Sequence, residues 1–503
     1  MRLALALLSG LALALSFPNF NYSILAWIAA AMLLVAVMGA RPADAALCGF
    51  LHAEIFYTVS LSWIYTVIRM YGDVDRYTPA VILGLIVLAE TVFTMTFTAL
   101  VARWSKTSVR RACFLAPFLW VALDLAKTHL PYISFPWNSI GYAVSGPLGL
   151  VQITAWTGIY GLSFVVLAFN ALVAWMIVQP TRRARLTTAA AALMLCCVVW
   201  LGPRLVPHAS PHRVAHLVQT NFEQSMFPPP GWLEQHSSDL DELEKLSISS
   251  AQRASGAIVW PEVPAPFSLQ EPAFASRAER IARESGQYFL VGVDEWRVKP
   301  DGKWGASNSA VLLNPEGQRV FTYDKMHLVP FSEFVPLRRW IPFAKQLIAE
   351  IGDFTPGTES RVGNLPGGRF GVFICYESIF PGEVRRFVTG GAELLINVSN
   401  DGWFGRSAAP AQHLQMVRVR AVENRRWLLR ATNNGYTVSI DPYGRIVAQL
   451  ATDIRGQLDA PYDFRSDRSF YTRWGDWWAW LCVLISVVAV FGLQMLRSSA
   501  RSK

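Results

Sequence analysis

Long apolar runs occupy the first 200 or so residues of the chain and return only near its end. Eight of them predict helices that cross a membrane, although some fall short of the roughly 20 residues that a perpendicular span needs. The predicted spans are 3–17, 24–40, 45–67, 80–101, 112–126, 150–178, 187–201 and 477–496. The first run also resembles a signal peptide with Ala12-Leu13-Ala14 as cleavage site. We favour a retained span, because the apolar stretch begins almost at Met1 and continues past that site.

Between these runs the pattern changes to short apolar stretches that alternate with amphipathic ones. The predicted strands are RVAHLVQTNF, GAIVWPE, YFLVGVDEW, SNSAVLL, RVFTYDKMHL, RFGVFICYES, AELLINVSN, LLRATNNGYTVSI and RIVAQL. The predicted helices are LEQHSSDLDELEKLSISSAQR, FASRAERIARESG and AQHLQMVRVRAVENRRW. Interleaved strands and helices predict a layered α/β domain. The predicted organisation is therefore a bundle of about seven spans over 1–204, an α/β domain over 205–472, and a last span with a basic tail over 473–503.

The composition excludes an ordinary soluble protein, because 52% of the residues are hydrophobic and only 16% are charged. The net charge of +9 lies largely in short segments beside the apolar runs, a topology signal rather than a sign of nucleic-acid binding. Basic clusters lie at 103–111, 182–185 and 497–503. Eight spans with the N-terminus inside put all three clusters on the cytoplasmic side and turn the α/β domain outward.

Four ionisable residues fall inside the predicted spans: His52, Glu54, Glu90 and Asp124. Such residues in a membrane either serve a functional purpose, such as a relay or a contact with a lipid headgroup, or are paired inside the bundle or placed near an interface. We favour the second interpretation.

Only one of the six cysteines, Cys375, belongs to the outward domain, so that domain has no disulfide framework of its own. Cys375 ends a predicted buried strand in FGVFICYESIF and is followed by polar residues. A lone cysteine is either core filler or a nucleophile. Its position, at the end of a strand and beside polar neighbours, argues against simple core packing.

Two further strand ends carry residues that suit a cysteine nucleophile. GAIVWPE ends in Glu262, and TYDKMHL presents Lys325. Strand ends can converge on one rim of a sheet, where a thiol, a carboxylate and an ammonium supply a nucleophile, a proton acceptor and a charge for a developing oxyanion. These three residue types predict an acyl-transfer site.

Glu262, Lys325 and Cys375, in this order and context, resemble the Glu-Lys-Cys triad of the nitrilase superfamily. The longer stretches YDKMHLVPFSEFVP, NVSNDGWFG and QHLQMVRVRAVENRRWLLRATNNG are similar to the apolipoprotein N-acyltransferases of bacterial inner membranes, as are FPNF and FPWNSIGYA among the spans. The resemblance implies a nitrilase-like αββα sandwich that faces the periplasm on a membrane bundle of about eight spans.

The resemblance also implies a role for each matching residue. Glu262 would be the base, Lys325 the oxyanion stabiliser and Cys375 the nucleophile. Supporting residues of the active site would be Glu333, Tyr376 and Glu377, and the substrate contacts would be Trp403 and Asn400. The chain departs from the family at Phe227 and Pro228, where a tryptophan is common.

The implied reaction is a ping-pong transfer without a cofactor or a metal. Cys375 would take a fatty acyl chain from a phospholipid, typically phosphatidylethanolamine, as a thioester. The α-amine of the diacylglyceryl-cysteine of an apolipoprotein would then take the chain as an amide, completing lipoprotein maturation. The expected protein is a monomer in the inner membrane. The alternatives are a membrane-tethered nitrilase-type amidohydrolase, with water as acceptor, and a binding module without activity.

Other features leave two interpretations open. The apolar segments 340–354 and 226–232 are either lids that admit lipid or ordinary packing. Three histidines at intervals of four residues, His208, His212 and His216, suggest a metal site only on a helix, and Pro211 favours a linker. His327 is interpreted as a structural polar residue, and the arginines of 418–430 either bind lipid phosphate or pair with carboxylates.

Overall fold

The structure is a computed structural model that describes residues 1–72, 75–130, 135–225, 229–253, 255–298, 302, 304–330, 332–334 and 354–501. The chain forms two compact units. The first comprises residues 1–207, 406–415 and 469–503, and the second comprises residues 208–405 and 416–468. The short segment 406–415 thus groups with the first unit, although it lies within the α/β part of the sequence.

The first unit consists of helices. They are α1 (Arg2–Leu15), α2 (Ala26–Val37), α3 (Pro42–Ser60), α4 (Ser62–Tyr71), α5 (Thr78–Ser105), α6 (Val109–His129), α7 (Ile140–Ala143), α8 (Leu148–Val151), α9 (Thr154–Thr157), α10 (Ile159–Val178) and α11 (Arg182–Leu205). Near the end of the chain lie two more, α17 (Phe470–Trp474) and α18 (Trp477–Arg501).

Three helices of the described chain, α5, α10 and α11, are long and apolar enough to cross a membrane. A fourth span results if α3 and α4, which meet at a bend of 46°, are taken as one. The eight spans therefore stay a prediction. The predicted span 150–178 is not one helix: the chain forms α8, α9 and α10 in succession, and Gly158 separates the last two with a φ of 65° that only glycine adopts readily.

Two of the four ionisable residues predicted inside spans, Glu90 and His52, have polar partners within the first unit. Lys127 Nζ lies 3.1 Å from Glu90 Oε2, and Glu90 Oε1 accepts a hydrogen bond of 2.7 Å from the backbone N–H of Phe135. His52 Nδ1 lies 2.8 Å from the hydroxyl of Ser9. Glu90 and His52 thus follow the pairing interpretation.

One side chain explains why segment 406–415 belongs to the first unit. Gln412 is fully buried and donates to the carbonyls of Pro18 and Ser60 at 2.9 and 3.2 Å. It also accepts a hydrogen bond of 2.7 Å from the indole of Trp137. Three separate parts of the helical unit are therefore joined through one amide.

The second unit contains two six-stranded sheets. The strands are β1 (Arg213–Gln219), β2 (Ile258–Val259), β3 (Phe289–Val298), β4 (Trp304–Leu313), β5 (Arg319–Asp324), β6 (Val362–Leu365), β7 (Gly368–Ile374), β8 (Leu394–Ser399), β9 (Leu428–Thr432), β10 (Val438–Ile440), β11 (Ile446–Gln449) and β12 (Gly456–Tyr462). The first sheet has the order β12-β1-β2-β3-β4-β5 and the second the order β11-β10-β9-β8-β7-β6. In each sheet the central strands are parallel and the outer ones antiparallel.

Each of the nine predicted strands coincides with an observed one, except that LLRATNNGYTVSI forms two strands, β9 and β10. The pattern did not predict β6 and β12, which are both edge strands.

Helices of this unit are α12 (Trp232–Gln235), α13 (Ser237–Arg253), α14 (Pro272–Ser285), α15 (Pro381–Thr389) and α16 (Ala409–Asn424), the last of which begins in the first unit.

The two sheets face each other and helices cover their outer faces. Phe321 of β5 and Phe370 of β7 bring their rings within 5.1 Å between the sheets. On the outer face of the first sheet, Phe274 and Ile281 of α14 share an apolar cluster with Val291 and Val293 of β3. These layers form the predicted αββα sandwich, with its apolar core on both sides of each sheet.

Candidate active site

The predicted triad lies where three strands of the sandwich end. Lys325 follows the last residue of β5, and Cys375 follows the last residue of β7. Glu262 comes three residues after β2, and its backbone crosses directly over Gly292 of the neighbouring strand. A Cβ at Gly292 would lie 2.3 Å from the carbonyl oxygen of Pro261, so only glycine permits this crossing.

Lys325 lies between two carboxylates. Its Nζ is 3.1 Å from Glu262 Oε1 and 2.8 Å from Glu333 Oε1, and all three side chains are buried. Burial alone would lower the pKa of the Lys325 ammonium, but the charges of Glu262 and Glu333 outweigh that effect and hold the pKa well above its ordinary value. The site therefore keeps a fixed positive charge at neutral pH.

An asparagine that the sequence pattern did not single out completes this cluster. Asn308 of β4 donates from Nδ2 to Glu262 Oε1 at 2.8 Å and to Glu333 Oε1 at 3.0 Å. The signal was present in the sequence, because SNSAVLL places an amide between two serines at the start of a strand that continues as an apolar run. Asn308 fixes the same two carboxylate oxygens that hold Lys325.

Asp294 is a second side chain that sequence reasoning missed. It pairs across the strands with Asn308, so the two side chains lie on the same face of the sheet. Burial, followed by the charges of Glu333 and Glu262, raises the pKa of Asp294 to about 7, while Lys325 opposes the shift. The site can thus hold a neutral carboxyl beside its two charged ones.

Cys375 occupies a sharp turn between β7 and a 3-10 helix, Cys375–Ile379. Its φ of 47° lies in the left-handed region, which costs a residue other than glycine about 1–2 kcal/mol. The side chain is 7% exposed, and its sulfur is hydrogen-bonded to the side chain of Ser399. Burial and the charge of Glu262 raise the pKa of the thiol well above its ordinary value, although Lys325 lowers it. The thiol is therefore protonated near neutral pH, so a role as nucleophile would need a base to remove its proton.

Glu377 joins the turn that carries Cys375 to the end of β5 that carries Lys325. Its Oε1 accepts hydrogen bonds from the hydroxyl of Tyr323 at 2.7 Å and from the backbone N–H groups of Met326 at 2.7 Å and His327 at 3.2 Å. Its Oε2 accepts from the N–H of Ile374 at 2.7 Å. Burial raises the pKa of Glu377 to about 7, even though these donors favour the carboxylate. The geometry gives Glu377 a positioning role.

Asn400 is held by the protein rather than turned outward. Its backbone N–H donates to Glu262 Oε2 at 2.8 Å, and its Nδ2 donates to Gln224 Oε1 at 2.7 Å and to the carbonyl of Val263 at 3.0 Å. Trp403 lies three residues on, in the 3-10 helix Asp401–Phe404, and is half-buried. Contact of Asn400 and Trp403 with substrate stays a prediction.

Tyr376 is buried beside the candidate nucleophile. Its ring meets Phe380 edge to face at 5.3 Å and lies 6.0 Å from the ring of His327. His327 stacks on Phe380 at 3.8 Å, and its Nδ1 lies 2.8 Å from Glu383 Oε1. These contacts agree with the structural interpretation of His327.

A buried ion pair supports the other side of Cys375. Ser399, which bonds the thiol, donates to Asp401 Oδ1 at 2.9 Å. Asp401 in turn accepts two hydrogen bonds of 2.8 Å from Arg430, which is fully buried. Arg430 therefore pairs with a carboxylate, one of the two roles predicted for the arginines of 418–430, and so does Arg420, which lies 3.1 Å from Glu423.

The remaining predicted features are peripheral to this cluster. His216 lies in β1 with its Nδ1 2.8 Å from Asp459, and His212 Nδ1 lies 2.7 Å from Asp463. In the described ranges no three His, Cys, Asp or Glu side chains form a group that could hold a metal ion. The predicted lid 340–354 lies outside the described residues except for its last position, and so does the 226–228 part of the second candidate lid.

The arrangement suits nucleophilic acyl transfer. It combines a protonated thiol, a carboxylate bound to a neighbouring lysine, and a buried ammonium that can stabilise an oxyanion. Each group is held by side chains that are themselves hydrogen-bonded, so the geometry is set before a substrate arrives.

Similarity to known proteins agrees with this chemistry. The carbon-nitrogen hydrolase family matches residues 217–466, and the apolipoprotein N-acyltransferase N-terminal domain matches residues 9–172. A protein of Geobacter metallireducens named apolipoprotein N-acyltransferase is 36% identical and covers 97% of this chain and 95% of its own. A protein of the same name from Methylococcus capsulatus is 32% identical and covers 94% and 92%. A solved amidase of the nitrilase superfamily from Nesterenkonia is 21% identical over 52% of this chain and 94% of its own, with a TM-score of 0.38. With more than 30% identity along nearly the whole of both chains, this chain belongs to the apolipoprotein N-acyltransferase family.

Proposed function

We propose that the protein transfers a fatty acyl chain from a phospholipid, through a thioester on Cys375, to the α-amine of the diacylglyceryl-cysteine of an apolipoprotein. The observation that carries the proposal is the buried position of Lys325 between Glu262 and Glu333, in electrostatic contact with the Cys375 thiol. Such a site can supply a nucleophile, a base and an oxyanion stabiliser. The identity of the substrates comes from the family to which the chain belongs.

In the first half-reaction the sulfur of Cys375 attacks the ester carbonyl of the phospholipid. Glu262 takes the thiol proton, which the high pKa of the buried thiol makes necessary. The ammonium of Lys325 stabilises the oxyanion, and one such donor typically contributes about 2.7–4 kcal/mol to the transition state. The carbon–oxygen bond then breaks, and Glu262 returns its proton to the alkoxide of the departing lysophospholipid.

In the second half-reaction the α-amine of the lipoprotein cysteine attacks the thioester. Glu262 accepts a proton from the nitrogen as the carbon–nitrogen bond forms. The carbon–sulfur bond breaks, and Glu262 passes that proton to the departing sulfur of Cys375. Thioester to amide is downhill, so the cycle needs no nucleotide or other cofactor.

The apolar helices of the first unit support a membrane setting, since both substrates are held in a bilayer. We place the protein in the inner membrane with about eight spans. Its α/β domain faces the periplasm, as the distribution of basic residues favours. The acyl donor is proposed to be phosphatidylethanolamine and the functional form a monomer. The proposed domain bounds remain 1–204, 205–472 and 473–503.

The experiment that tests the proposal supplies purified protein with phosphatidylethanolamine and a synthetic diacylated lipopeptide, and follows the products by mass spectrometry. We expect triacylated lipopeptide and lysophospholipid in equal amounts from the wild type and neither from Cys375→Ala. Free fatty acid without triacylated product would show a hydrolase instead. N-acylation by the alanine variant would show that Cys375 is not the nucleophile.

A further inference from the structure

The hairpin of β3 and β4 extends beyond the sheet to which it belongs. β2 pairs with β3 only at Phe289 and Leu290, and β5 pairs with β4 only from Ser309 to Leu313. The outer parts of the hairpin, residues 295–298 and 304–307, pair with each other in continuous register. We call these two stretches the aromatic arm.

One face of the aromatic arm is apolar and exposed. Trp296, Val298 and Trp304 are 49%, 59% and 67% exposed to solvent. The register places Val298 opposite Trp304 and Trp296 opposite Ala306, so these side chains form one contiguous surface. An exposed cluster of two tryptophans and a valine is unusual on a soluble surface and indicates a binding function.

The opposite face of the arm is fixed by charged side chains. Glu295 receives two hydrogen bonds from Arg319, at 2.8 and 2.9 Å. Arg297 donates two to Asp324, at 2.6 and 3.1 Å. These pairs hold the arm to β5. Within residues 295–298 and 304–307, as far as the structure describes the hairpin, the aromatic face carries no charged side chain, so an apolar, uncharged occupant suits it.

The aromatic face continues the face of the sheet that carries the candidate active site. Side chains alternate along a strand, so Gly292, Asp294, Trp296 and Val298 share one face of β3. Glu262 crosses over Gly292 on that face, and Asn308, the cross-strand partner of Asp294, touches both Glu262 and Glu333. From Asn308 to Trp304 the strand covers roughly 14 Å, at about 3.4 Å per residue.

We propose that the aromatic arm binds the hydrocarbon chain of the phospholipid acyl donor and guides it to Cys375. This inference rests on the proposed function and adds a subsite to it. An extended hydrocarbon chain matches a narrow apolar strip that begins at solvent and ends at the carboxylate–lysine cluster. Tryptophan also suits the boundary between lipid and water, because its ring is apolar and its N–H can bond to polar groups.

A second copy of the chain fits this surface less well. Large aromatic side chains bury about 150–250 Å² each, so the two tryptophans offer about 300–500 Å² and the valine adds less than either of them. A stable interface needs about 800 Å² from each partner. The arm therefore provides too little area for a dimer and enough for a lipid chain.

The test compares long-chain and short-chain phosphatidylethanolamine as donors for the full-length protein in mixed detergent micelles. The variant is Trp296→Ser with Trp304→Ser, and the measured quantity is kcat/KM for the long-chain donor divided by kcat/KM for the short-chain donor. Loss of both tryptophans should lower that ratio about tenfold or more, chiefly through a higher KM for the long-chain donor. Replacing both residues by phenylalanine should largely preserve the ratio.

A matched control is Ile446→Ser with Val447→Ser, which removes two exposed apolar side chains, 39% and 40% exposed, from β11 of the other sheet. The control should leave the ratio unchanged. An unchanged ratio in the tryptophan variant, an equal loss on both donors, or a KM change for the lipopeptide alone would each overturn the proposal. So would a change of oligomeric state by light scattering. If the wild type formed no acyl adduct on Cys375, the proposed function would be refuted, whatever the arm binds.

Discussion

The substitution Glu377→Gln tests whether one buried carboxylate aligns the candidate nucleophile with the candidate oxyanion stabiliser. All four partners of Glu377 are donors: the hydroxyl of Tyr323 and the N–H groups of Met326, His327 and Ile374. Glutamine has nearly the same shape but only one acceptor oxygen. If that oxygen keeps the three bonds of Oε1, the new amide N–H₂ faces the N–H of Ile374, and that backbone donor loses its partner.

The magnitude follows from the number of donors left unpaired. An unmade hydrogen bond of a buried group costs about 1–3 kcal/mol, so glutamine should destabilise the protein by about that amount. Alanine would leave four donors without an acceptor, for a loss on the order of 4–12 kcal/mol, comparable to the whole stability of many domains at about 5–15 kcal/mol. Glutamine is therefore the informative change, because its variant should still fold.

The kinetic effect should be about as large in free energy as the effect on stability. Glu377 binds the residues directly after Lys325 and the residue directly before Cys375. A displacement of about 1 Å at a reacting group can cost about 100-fold in rate, so we expect kcat to fall about 10- to 100-fold. The assay is N-acylation of a diacylated lipopeptide with phosphatidylethanolamine, together with a thermal melt, where each kcal/mol corresponds to about 2–4 °C.

A matched control is Glu359→Gln, which changes an exposed carboxylate paired with Arg361 and should affect neither quantity. If Glu377→Gln melts at the wild-type temperature and retains the wild-type kcat, the alignment role of Glu377 is wrong. If it melts normally but loses activity, the carboxylate acts on the reaction by a route other than positioning.

Three further measurements test single residues of the α/β domain. Because the pKa of Asp294 is raised in the folded protein, this side chain contributes stability that is fully present below its pKa in the unfolded chain, about 4, and is lost as pH rises through about 7. Asp294→Asn should therefore flatten the dependence of the melting temperature on pH between pH 4 and 8. A variant with the same pH dependence as the wild type would contradict the shift. The high pKa of the Cys375 thiol predicts that its alkylation by iodoacetamide, mapped by peptide mass spectrometry, still rises in proportion to hydroxide concentration at pH 10. A rate that levels off between about pH 9 and 10, as expected for a thiol with the ordinary pKa of about 8.5, would contradict the shift. A Cβ at Gly371 would lie 2.5 Å from Phe387, so Gly371→Ala should lower the free energy of unfolding by about 1–3 kcal/mol and lower the melting temperature. The control Gly382→Ala, whose Cβ would have no atom within 4 Å, should not lower it. Equal melting temperatures of the two variants would refute the overlap.

The sequence predicted the strands that carry the site, because a buried strand followed abruptly by a polar residue is a strong local pattern. Lys325 after β5 and Cys375 after β7 both follow it. The partners of these residues were harder to predict. Asn308 and Asp294 lie inside strands, where a single polar residue does not reveal which groups will face it across the sheet.

The two strands that were missed have ordinary physical reasons. β12 contains Pro461, which cannot donate to a sheet ladder and therefore weakens a strand prediction. It lies at the edge of its sheet, where proline is tolerated. β6 has only four residues, at the edge of the second sheet, and its polarity alternates too briefly to be recognised.

Apolar runs located the helices of the first unit but did not show where they break. The run 150–178 is apolar throughout, so hydropathy does not reveal the interruption before α10, which depends on the backbone conformation of Gly158. The grouping of segment 406–415 with the helical unit depends on hydrogen bonds of Gln412 to residues hundreds of positions away, which no local pattern records.

The most direct test of the central claim is to capture the acyl-enzyme. Purified wild-type protein is incubated with phosphatidylethanolamine and no acceptor, digested, and mapped by mass spectrometry, before and after a diacylated lipopeptide is added. Our account predicts a fatty acyl adduct on Cys375 that disappears when the lipopeptide is added, while triacylated product appears in the same amount. Formation of triacylated product with no adduct on Cys375 at any time would contradict it.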